Sequence, residues 1–416
     1  MTGRTALARI GVLMGAVFID MMGFLLVHPL LPFYATELGA TPTIIGILVA
    51  AHPFAKVSTA PLWGRLSDRW GRRPVILLGL GTAVIAYLLF GIAESLWLLL
   101  LSRLVQGASG GIVGVIQAYV SDVVGPDERA KALGWLTAAS SAGVALGPAI
   151  GYFAVKLGAQ APGFVAAGLA LVNVLFAWRF LSEPEGVERP VGKRRRLRHA
   201  MVDVFRHPGA PAHRMIWIYA GGMMAFMAVN GILALYLGEQ FGVTKRSIGL
   251  FYVYFGVLGV LMRAVILGPA VNAWGEVRVL QVGALSLMLG QLLLPLASNM
   301  LELALLIPLM PIGTAMLFPA TTSQVSRYAP RGYVGEMLGV QQAFGGVAQM
   351  IGPIWAGIVF QHLGVHWPFW LAAVLMAGAA AVTFTVPRTS AKGPATVPIT
   401  TAPTPPEPAP RPVEPV

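Results

Sequence analysis

The sequence predicts an all-α integral membrane protein with about 12 transmembrane helices, arranged as two pseudo-symmetric six-helix bundles. Its composition, the length of its apolar stretches and an internal repeat support this fold. Only 11% of the residues are charged and 56% are hydrophobic, and the mean hydropathy is +0.73. Soluble domains carry about 25% charged residues. The composition therefore places most of the chain inside a bilayer.

About twelve apolar stretches are long enough to form transmembrane helices, each of which needs about 20 mostly apolar residues. Barrel strands would be about 10 residues long and would alternate in polarity, so a β-barrel is excluded. The predicted helices lie near residues 10–33, 43–62, 75–93, 96–120, 132–156, 162–181, 214–237, 247–267, 277–297, 301–322, 335–360 and 366–386.

The two halves of the chain repeat each other at a nearly constant offset of 204 or 205 residues. Parallel repeats of this kind are related by an axis along the membrane normal, and the binding site lies between them near the bilayer midplane. The repeat predicts one six-helix bundle over residues 1–182 and another over residues 214–387. The matched positions are Gly64 with Gly268, Asp68 with Asn272, Trp70 with Trp274, Gly71 with Gly275, and Gly147-Pro148 with Gly352-Pro353.

The positions of the positive charges predict how the chain crosses the membrane. Of the 29 Lys and Arg residues, three lie inside predicted helices and three in odd-numbered connections, which leaves 23 (29 − 3 − 3) in the tails and even-numbered connections. By the positive-inside rule, both termini of this multi-pass protein are expected in the cytoplasm. The net charge of +12 therefore indicates topology rather than nucleic-acid binding.

Two segments are predicted to lie outside the bundles. Residues 183–213 form a basic cytoplasmic linker, and its cluster at 193–198 is attracted to anionic lipid headgroups at about 1 kcal/mol per charge. An anchoring and tethering role is the simplest interpretation of that cluster. Residues 388–416 are rich in Pro, Thr and Ala, and we expect a disordered tail because they cannot bury a core.

Residues 64–74 place five charges among glycines between two apolar stretches, so this segment must lie at a membrane surface. It reads Gly-x-Leu-(small)-Asp-Arg-x-Gly-Arg-Arg. Arg103 and Gln106-Gly107 form a motif in the fourth helix, and Gly143-x-x-x-Gly147-Pro148-x-x-Gly151 forms one in the fifth. Together these motifs resemble those of major facilitator superfamily transporters, in the drug:proton antiporter branch. The segment from Asp20 to Pro32 is similar to bacterial tetracycline and multidrug exporters.

The resemblance implies a cytoplasmic gate that latches when that side is closed, formed by Gly64, Asp68, Arg69, Gly71, Arg72 and Arg73. It also implies a helix-packing motif formed by Gly143, Gly147, Pro148, Gly151, Gly352 and Pro353, which we expect to pack across the interface between halves. The chain departs from the pattern in the second half, where Asn272, Glu276 and Val277 replace an acid and two arginines, and at Tyr152, where a glycine is usual. The ninth helix carries no acid, so tetracycline specificity is not predicted.

Asp20 and Arg103 are candidates for proton coupling because a charge inside a span costs roughly 2.5–3.5 kcal/mol on insertion scales. Asp20 lies about 15 Å into the first helix, where an apolar setting favours the protonated carboxyl. A neutral, hydrogen-bonded structural Asp is the alternative. Arg103 shares a polar and small face with Gln106 and Gln117, which favours a cavity over lipid; the alternative is packing. The resemblance implies a coupling or cavity role for Arg103.

Further residues are candidates for a substrate cavity, although the same helical spacing also occurs in ordinary packing. Lys56 and Arg263 are embedded cations, and Arg263 is close enough to its helix end to reach the surface by snorkelling. The predicted cavity residues are Gln106, Gln117, Lys56, Phe226, Asn230, Arg263, Gln341 and Gln342.

These observations predict a secondary active transporter, a proton-coupled antiporter that exports lipophilic drugs or related small molecules by alternating access. The alternative is a transporter of an anionic or neutral metabolite, in either direction. A membrane-embedded enzyme is disfavoured because the chain has no Cys and no evident nucleophile–base set or metal-ligand motif. A sensor would be expected to add a soluble signalling domain. We expect a monomer that uses protons, contacts membrane lipids and needs no metal or cofactor.

Overall fold

A computed structural model of the chain describes residues 3–184, 197–330 and 333–386. Every regular element in this part is helical, and twelve helices are long and apolar enough to cross a membrane, which confirms the predicted fold. In chain order, spans 1 to 12 are Arg9–Glu37, Pro42–Trp70, Arg72–Gly91, Leu96–Val123, Lys131–Lys156, Ala161–Phe180, Pro211–Phe241, Ile248–Trp274, Glu276–Leu296, Met300–Tyr328, Val334–Leu363 and Trp367–Phe384.

A further helix, Leu197–Arg206, precedes span 7 and packs against span 11 through its buried residues Ala200 and Val204. Most of the basic cluster at residues 193–198 and the whole of the tail at residues 388–416 lie outside the described residues. The predictions of lipid contact and disorder therefore stay predictions.

The spans pack as two bundles that repeat the same arrangement. Span 1 packs against span 5 as span 7 packs against span 11, and spans 3 and 6 pair as spans 9 and 12 do. Between the halves, span 2 packs on span 11 and span 5 on span 8. Span 2 of the first half is equivalent to span 8 of the second, and span 5 is equivalent to span 11. The two contacts between the halves are therefore related by the same pseudo-twofold axis as the bundles.

Span 5 approaches span 1 closely because three glycines face its backbone. A Cβ atom added at Gly143, Gly147 or Gly151 would lie within 2.3 to 2.6 Å of a carbonyl oxygen of span 1, too close for any side chain. Gly352 likewise faces Met224 of span 7 in its own half. We expected this motif to pack across the interface, but its glycines pack within their own halves because each bundle has its own close helix pair.

The backbone carbonyls of the two prolines face the other half, while the Pro353 ring packs on Gly231 of span 7 in its own half. The Pro353 carbonyl lies against Gly46 of span 2, and Pro148 and Tyr152 lie against Gly249 of span 8. Tyr152 is accommodated where a glycine was expected, because Gly249 offers no side chain opposite it. The Gly-Pro pairs thus connect tight packing inside each half to contact between the halves.

The halves are joined near the middle of their spans and toward one side of the bundle. We call the side where span 1 begins and span 12 ends the terminal side, and the other the opposite side. On the opposite side, the Lys245 ammonium lies 2.5 Å from the Glu37 carboxylate and the Thr43 amide donates to Gln361 Oε1 at 3.3 Å. Toward the terminal side, the helical segment Leu267–Trp274 of span 8 makes its main contacts with the π-helical turn before it and with span 9, both in its own half. The halves therefore part toward the terminal side.

We predict that Gly143→Ala destabilises the protein, because the new methyl group would lie 2.3 Å from the Phe18 carbonyl oxygen. Overpacking of this kind costs about 1–3 kcal/mol, and thermal unfolding in detergent would measure the loss. Gly134→Ala on the same helix is the matched control, since that site has open space and Ala favours helix by up to about 1 kcal/mol. Equal melting temperatures for the two variants would contradict the packing account.

Candidate functional site

A cavity of about 420 Å³ lies between the two halves. This volume falls within the range of about 300–1,000 Å³ that is typical of small-molecule sites. Spans 1 to 5 contribute to its wall on one side, and spans 7, 8, 10 and 11 on the other. A single chamber shared by both bundles is what the repeat predicts for a binding site near the midplane.

The first half supplies the ionisable part of the wall. Asp20, Phe24 and His28 recur every four residues and share one face of span 1, and His52 and Lys56 line the cavity from span 2. Phe24 lies between the two imidazoles, with ring centroids 5.1 Å from His28 and 4.7 Å from His52. The positive charge of Lys56 attracts the Asp20 carboxylate without a hydrogen bond between them. A proton arriving at Asp20 would therefore weaken an existing attraction.

Arg103 lies behind this wall instead of lining the cavity. Its side chain is 1% exposed, and its guanidinium carbon lies 5.1 Å from the centroid of the Phe90 ring. Within the described residues, none of its three guanidinium nitrogens has a hydrogen-bond partner. Tyr87, which does line the cavity, interacts electrostatically with both Arg103 and Asp20. The charge of Arg103 thus acts on His28, His52 and Tyr87 at a distance rather than by lining the cavity.

The second half supplies the apolar part of the wall. Phe226 is stacked on Phe255 with centroids 6.2 Å apart and meets Phe318 edge-on at 6.3 Å. Met223 and Met227 add flexible thioether side chains to the same surface. Asn230 Nδ2 lies 3.3 Å from His28 Nε2, so a hydrogen bond joins the halves at the cavity. The carboxylate and imidazoles of the wall thus come from the first half, whereas the second half contributes the phenylalanine cluster together with the polar groups of Asn230 and Arg263.

The structure brings together only part of the predicted cavity set. Gln106, Lys56, Phe226, Asn230 and Arg263 line the cavity, as does Asp20. The remaining three amides lie elsewhere: Gln117 and Gln342 are exposed away from the lining, and Gln341 is fully buried with no hydrogen-bond partner for its amide among the described residues. Sequence reasoning identified polar or embedded positions on each helix, but it could not tell whether the neighbour of each position is the cavity or another helix.

Several lining residues were missed by sequence reasoning. Tyr87, Tyr252, Phe255, Thr314, Phe318 and Gln349 lie in the cavity wall. Polar groups inside apolar helices are a usable signal for Tyr252, Thr314 and Gln349, since each needs a partner or water. Nothing in the sequence separates Phe255 and Phe318 from aromatic residues that face lipid.

The predicted gate segment is organised by Arg72. Its guanidinium donates to Asp122 of span 4 at 2.9 Å, to Asp68 at 2.9 Å and to the Ser67 hydroxyl at 2.6 Å. Glu183 caps the start of span 3 by accepting from the Arg72 and Arg73 amides. The turn between spans 2 and 3 contains Gly71 at φ 96°, where a side chain would be strained.

Asp68 has a side chain that is 65% exposed, and its partner Arg72 belongs to the same half. It lies on the terminal side, where the halves are apart.

The second copy of this segment keeps the ion pair with its signs reversed. Glu276 stands at the position of Arg72, and its carboxylate lies 2.9 Å from Arg327, which stands at the position of Asp122. Gln324 also donates to Glu276 at 2.8 Å. Compared with the first half, the second half thus has an acid in place of the arginine and an arginine in place of the acid. Each half ties its third helix to its fourth by one charge pair.

A membrane protein with two parallel-repeat bundles and one cavity between them has the architecture of a secondary transporter. The Major Facilitator Superfamily profile matches residues 13–266 and 215–413, and the chain belongs to that family. Its function is therefore that of a membrane transporter and not of an enzyme, and it is a multi-pass protein of the inner membrane.

The chain is similar to several drug-resistance proteins. It is 27% identical to multidrug resistance protein 2 of Bacillus subtilis over 88% of this chain and 92% of that one. It is 27% identical to the class B tetracycline resistance protein of Escherichia coli, over 85% and 88%. It is 25% identical to the quinolone resistance protein NorA of Staphylococcus aureus, over 89% and 94%. These relatives support assignment to a small-molecule transporter.

Two solved structures share the fold. The human organic anion transporter MFSD10 (TETRAN) matches with a TM-score of 0.68 and 22% identity, over 91% of this chain and 99% of that one. The nucleoside transporter NupG matches with a TM-score of 0.75 and 13% identity, over 90% and 99%. At these identities the likeness concerns the fold alone.

We predict that Glu276→Arg destabilises the second half, because it places two arginines together. The partly exposed pair contributes about 1 kcal/mol, so the melting temperature in detergent should fall modestly. Adding Arg327→Glu recreates the arrangement of the first half and should restore most of the loss. A double variant no more stable than Glu276→Arg alone would show that the pair does not hold these helices together.

Proposed function

We propose that this protein is a proton-coupled antiporter that exports small amphipathic molecules, including drugs, by alternating access. The observation that carries the proposal is Asp20, an ionisable carboxylate in the wall of a central cavity whose other side is aromatic. The relatives are named for resistance to multiple drugs, to tetracycline and to quinolones, which supports a drug as the transported molecule. No cofactor enters the proposal, since the proton gradient supplies the energy.

Coupling is proposed to arise from competition at Asp20. An ionised Asp20 attracts Lys56 or a basic group of the substrate, and a protonated Asp20 attracts neither. By linkage, if a bound proton lowers the affinity for substrate by a given factor, bound substrate lowers the affinity for the proton by the same factor. Lys56 would favour release of the proton again, because its positive charge attracts the ionised Asp20 carboxylate.

The names of the resistance proteins among the relatives support export as the direction, and the proposed topology orients the conformation. The positive-inside rule puts the terminal side in the cytoplasm, so the structure corresponds to a state open to the cytoplasm and closed outside. The Glu37–Lys245 ion pair and the Thr43–Gln361 hydrogen bond then belong to the outer gate. We propose that Asp68 reaches the N-terminal end of span 11 when the cytoplasmic side closes, where a helix dipole favours a carboxylate.

We predict that Asp20→Asn abolishes proton-driven accumulation of substrate in proteoliposomes, because an amide cannot exchange a proton at this site. Exchange of substrate for substrate without a gradient should continue, since the cavity is otherwise intact. A panel of a tetracycline, a quinolone and a cationic dye would serve as cargo. Asp203→Asn, on the exposed face of the Leu197–Arg206 helix, is the control.

Wild-type accumulation by the Asn variant would rule out coupling at Asp20. Transport of organic anions but of no drug in the panel would favour the metabolite alternative.

We predict that joining residues 37 and 245 blocks the transport cycle, because the outer side must open. The chain has no cysteine, so Glu37→Cys combined with Lys245→Cys gives one unique pair for a short, reducible thiol crosslinker. Crosslinked protein should lose transport and regain it on reduction, while each single-Cys variant treated in the same way should be unaffected. Full transport by fully crosslinked protein would contradict alternating access at this gate.

A further inference from the structure

Arg263 is an unpaired cation in the cavity wall of the second half. It lies in the π-helical turn Met262–Ile266, which interrupts span 8. Turns of this type are rare and occur frequently at functional sites. Within the part of the chain that the structure describes, Arg263 has no hydrogen bond and no ion pair. Its side chain is exposed, so the cavity offers a free guanidinium to whatever enters.

Arg263 lies at the same depth as the charges of the first half. It follows Ile248 by 15 residues (263 − 248), Lys56 follows Pro42 by 14 (56 − 42), and Asp20 precedes Glu37 by 17 (37 − 20). At 1.5 Å per residue, all three lie about 21 to 26 Å from the opposite side. A ligand at this level therefore meets a carboxylate on one half and a guanidinium on the other.

The surface between these charges suits an aromatic body. Phe255, Gly259 and Arg263 recur every four residues and share one face of span 8, with Gly259 leaving space before the guanidinium. Phe226 and Phe318 extend the same wall. An apolar ring can therefore lie against the phenylalanines while an acidic group reaches Arg263.

We infer that Arg263 is an anion-binding subsite and that the exported molecule is a zwitterionic aromatic amphiphile, with its basic group at Asp20 and its acidic group at Arg263. The inference rests on the proposed proton exchange and deepens it. A simple cation would be repelled by Lys56 and Arg263. A simple anion would bind better when Asp20 is protonated, so that proton and substrate would travel together instead of exchanging. A molecule carrying both charges satisfies Arg263 and still competes with the proton.

Equilibrium binding to the purified full-length protein in detergent, without a pH gradient, tests the inference. Three naphthalene probes of similar size carry permanent charges: a quaternary ammonium, a sulfonate and a sulfobetaine that joins both. At mildly alkaline pH the sulfobetaine should bind on the order of tenfold more tightly than either single-charge probe, as expected for one added charge-assisted contact. Equal binding of the sulfobetaine and the ammonium probe would overturn the inference.

Substitutions at Arg263 and Asp20 test which charged group of the ligand binds at each residue. Arg263→Gln should weaken sulfobetaine and sulfonate binding on the order of tenfold and leave the ammonium probe unchanged or tighter, while Arg263→Lys should retain most of the affinity. Asp20→Asn should weaken only the probes with an ammonium group. Arg179→Gln, an exposed arginine stacked on Phe180 outside the cavity, is the control. Equal weakening of all three probes by Arg263→Gln would indicate a structural role and overturn the subsite.

The same measurements distinguish failure of the antiport proposal from failure of the anion subsite. If the sulfobetaine binds as expected but no probe accumulates in proteoliposomes under a proton gradient, the antiport proposal falls and the charge pattern of the cavity stands. If the ammonium probe is exchanged for protons and the sulfobetaine is neither preferred nor sensitive to Arg263→Gln, antiport stands and the anion subsite falls.

Discussion

Charge inside a bilayer is costly, and the rest of this structure depends on how that cost is met. Asp20, Lys56 and Arg263 lie near the middle of their spans, where lipid would solvate none of them. They are tolerated because both halves of the chain turn their polar faces toward one cavity. Arg103 is the extreme case, since it is buried behind that cavity with its guanidinium against the Phe90 ring. Its charge acts on His28 and His52 in the cavity wall, whereas Lys56 is the cation that acts on Asp20.

The two halves have the same frame but different chemistry. The close glycine contacts of span 5 on span 1 have a counterpart in span 11 on span 7, and both halves join their third and fourth helices by an ion pair. The reversed signs at Glu276 and Arg327 show that the geometry of the pair was retained while its polarity was not. The cavity walls diverge further, with imidazoles and a carboxylate on one side and phenylalanines on the other. In the proposed transport cycle, the common frame lets the halves move as equivalent bodies, and the different walls give a ligand a defined orientation.

Much of the fold could be predicted from the sequence because hydropathy and the 204-residue offset act on long segments. All twelve predicted helices have counterparts in the structure, with ends that differ by several residues. The residues of the site were harder to predict than the fold. Asp20 and Lys56 were found because charge inside a span is costly, and Phe226 because a helix face is periodic. The same two signals also selected Gln117 and Gln341, which lie outside the cavity. The reversed ion pair was missed because its partners are 51 residues apart (327 − 276), and the division of roles between Gly147 and Pro148 depends on which neighbour each meets. Pairwise contact between distant spans is the information that a single sequence lacks.

The central claim is that one cavity is exposed alternately to the two sides of the membrane as the halves rock about their contacts. Spin–spin distances in lipid nanodiscs test it directly, since the chain has no native cysteine. One label pair on the terminal side, at Glu128 and Gly335, and one on the opposite side, at Gln160 and Arg246, would be compared at acidic and alkaline pH and with Asp20→Asn. The account predicts reciprocal changes, with the terminal-side distance shortening as the opposite-side distance lengthens, and loss of the pH dependence in the Asn variant. Distances that change together, or on one side only, would contradict it.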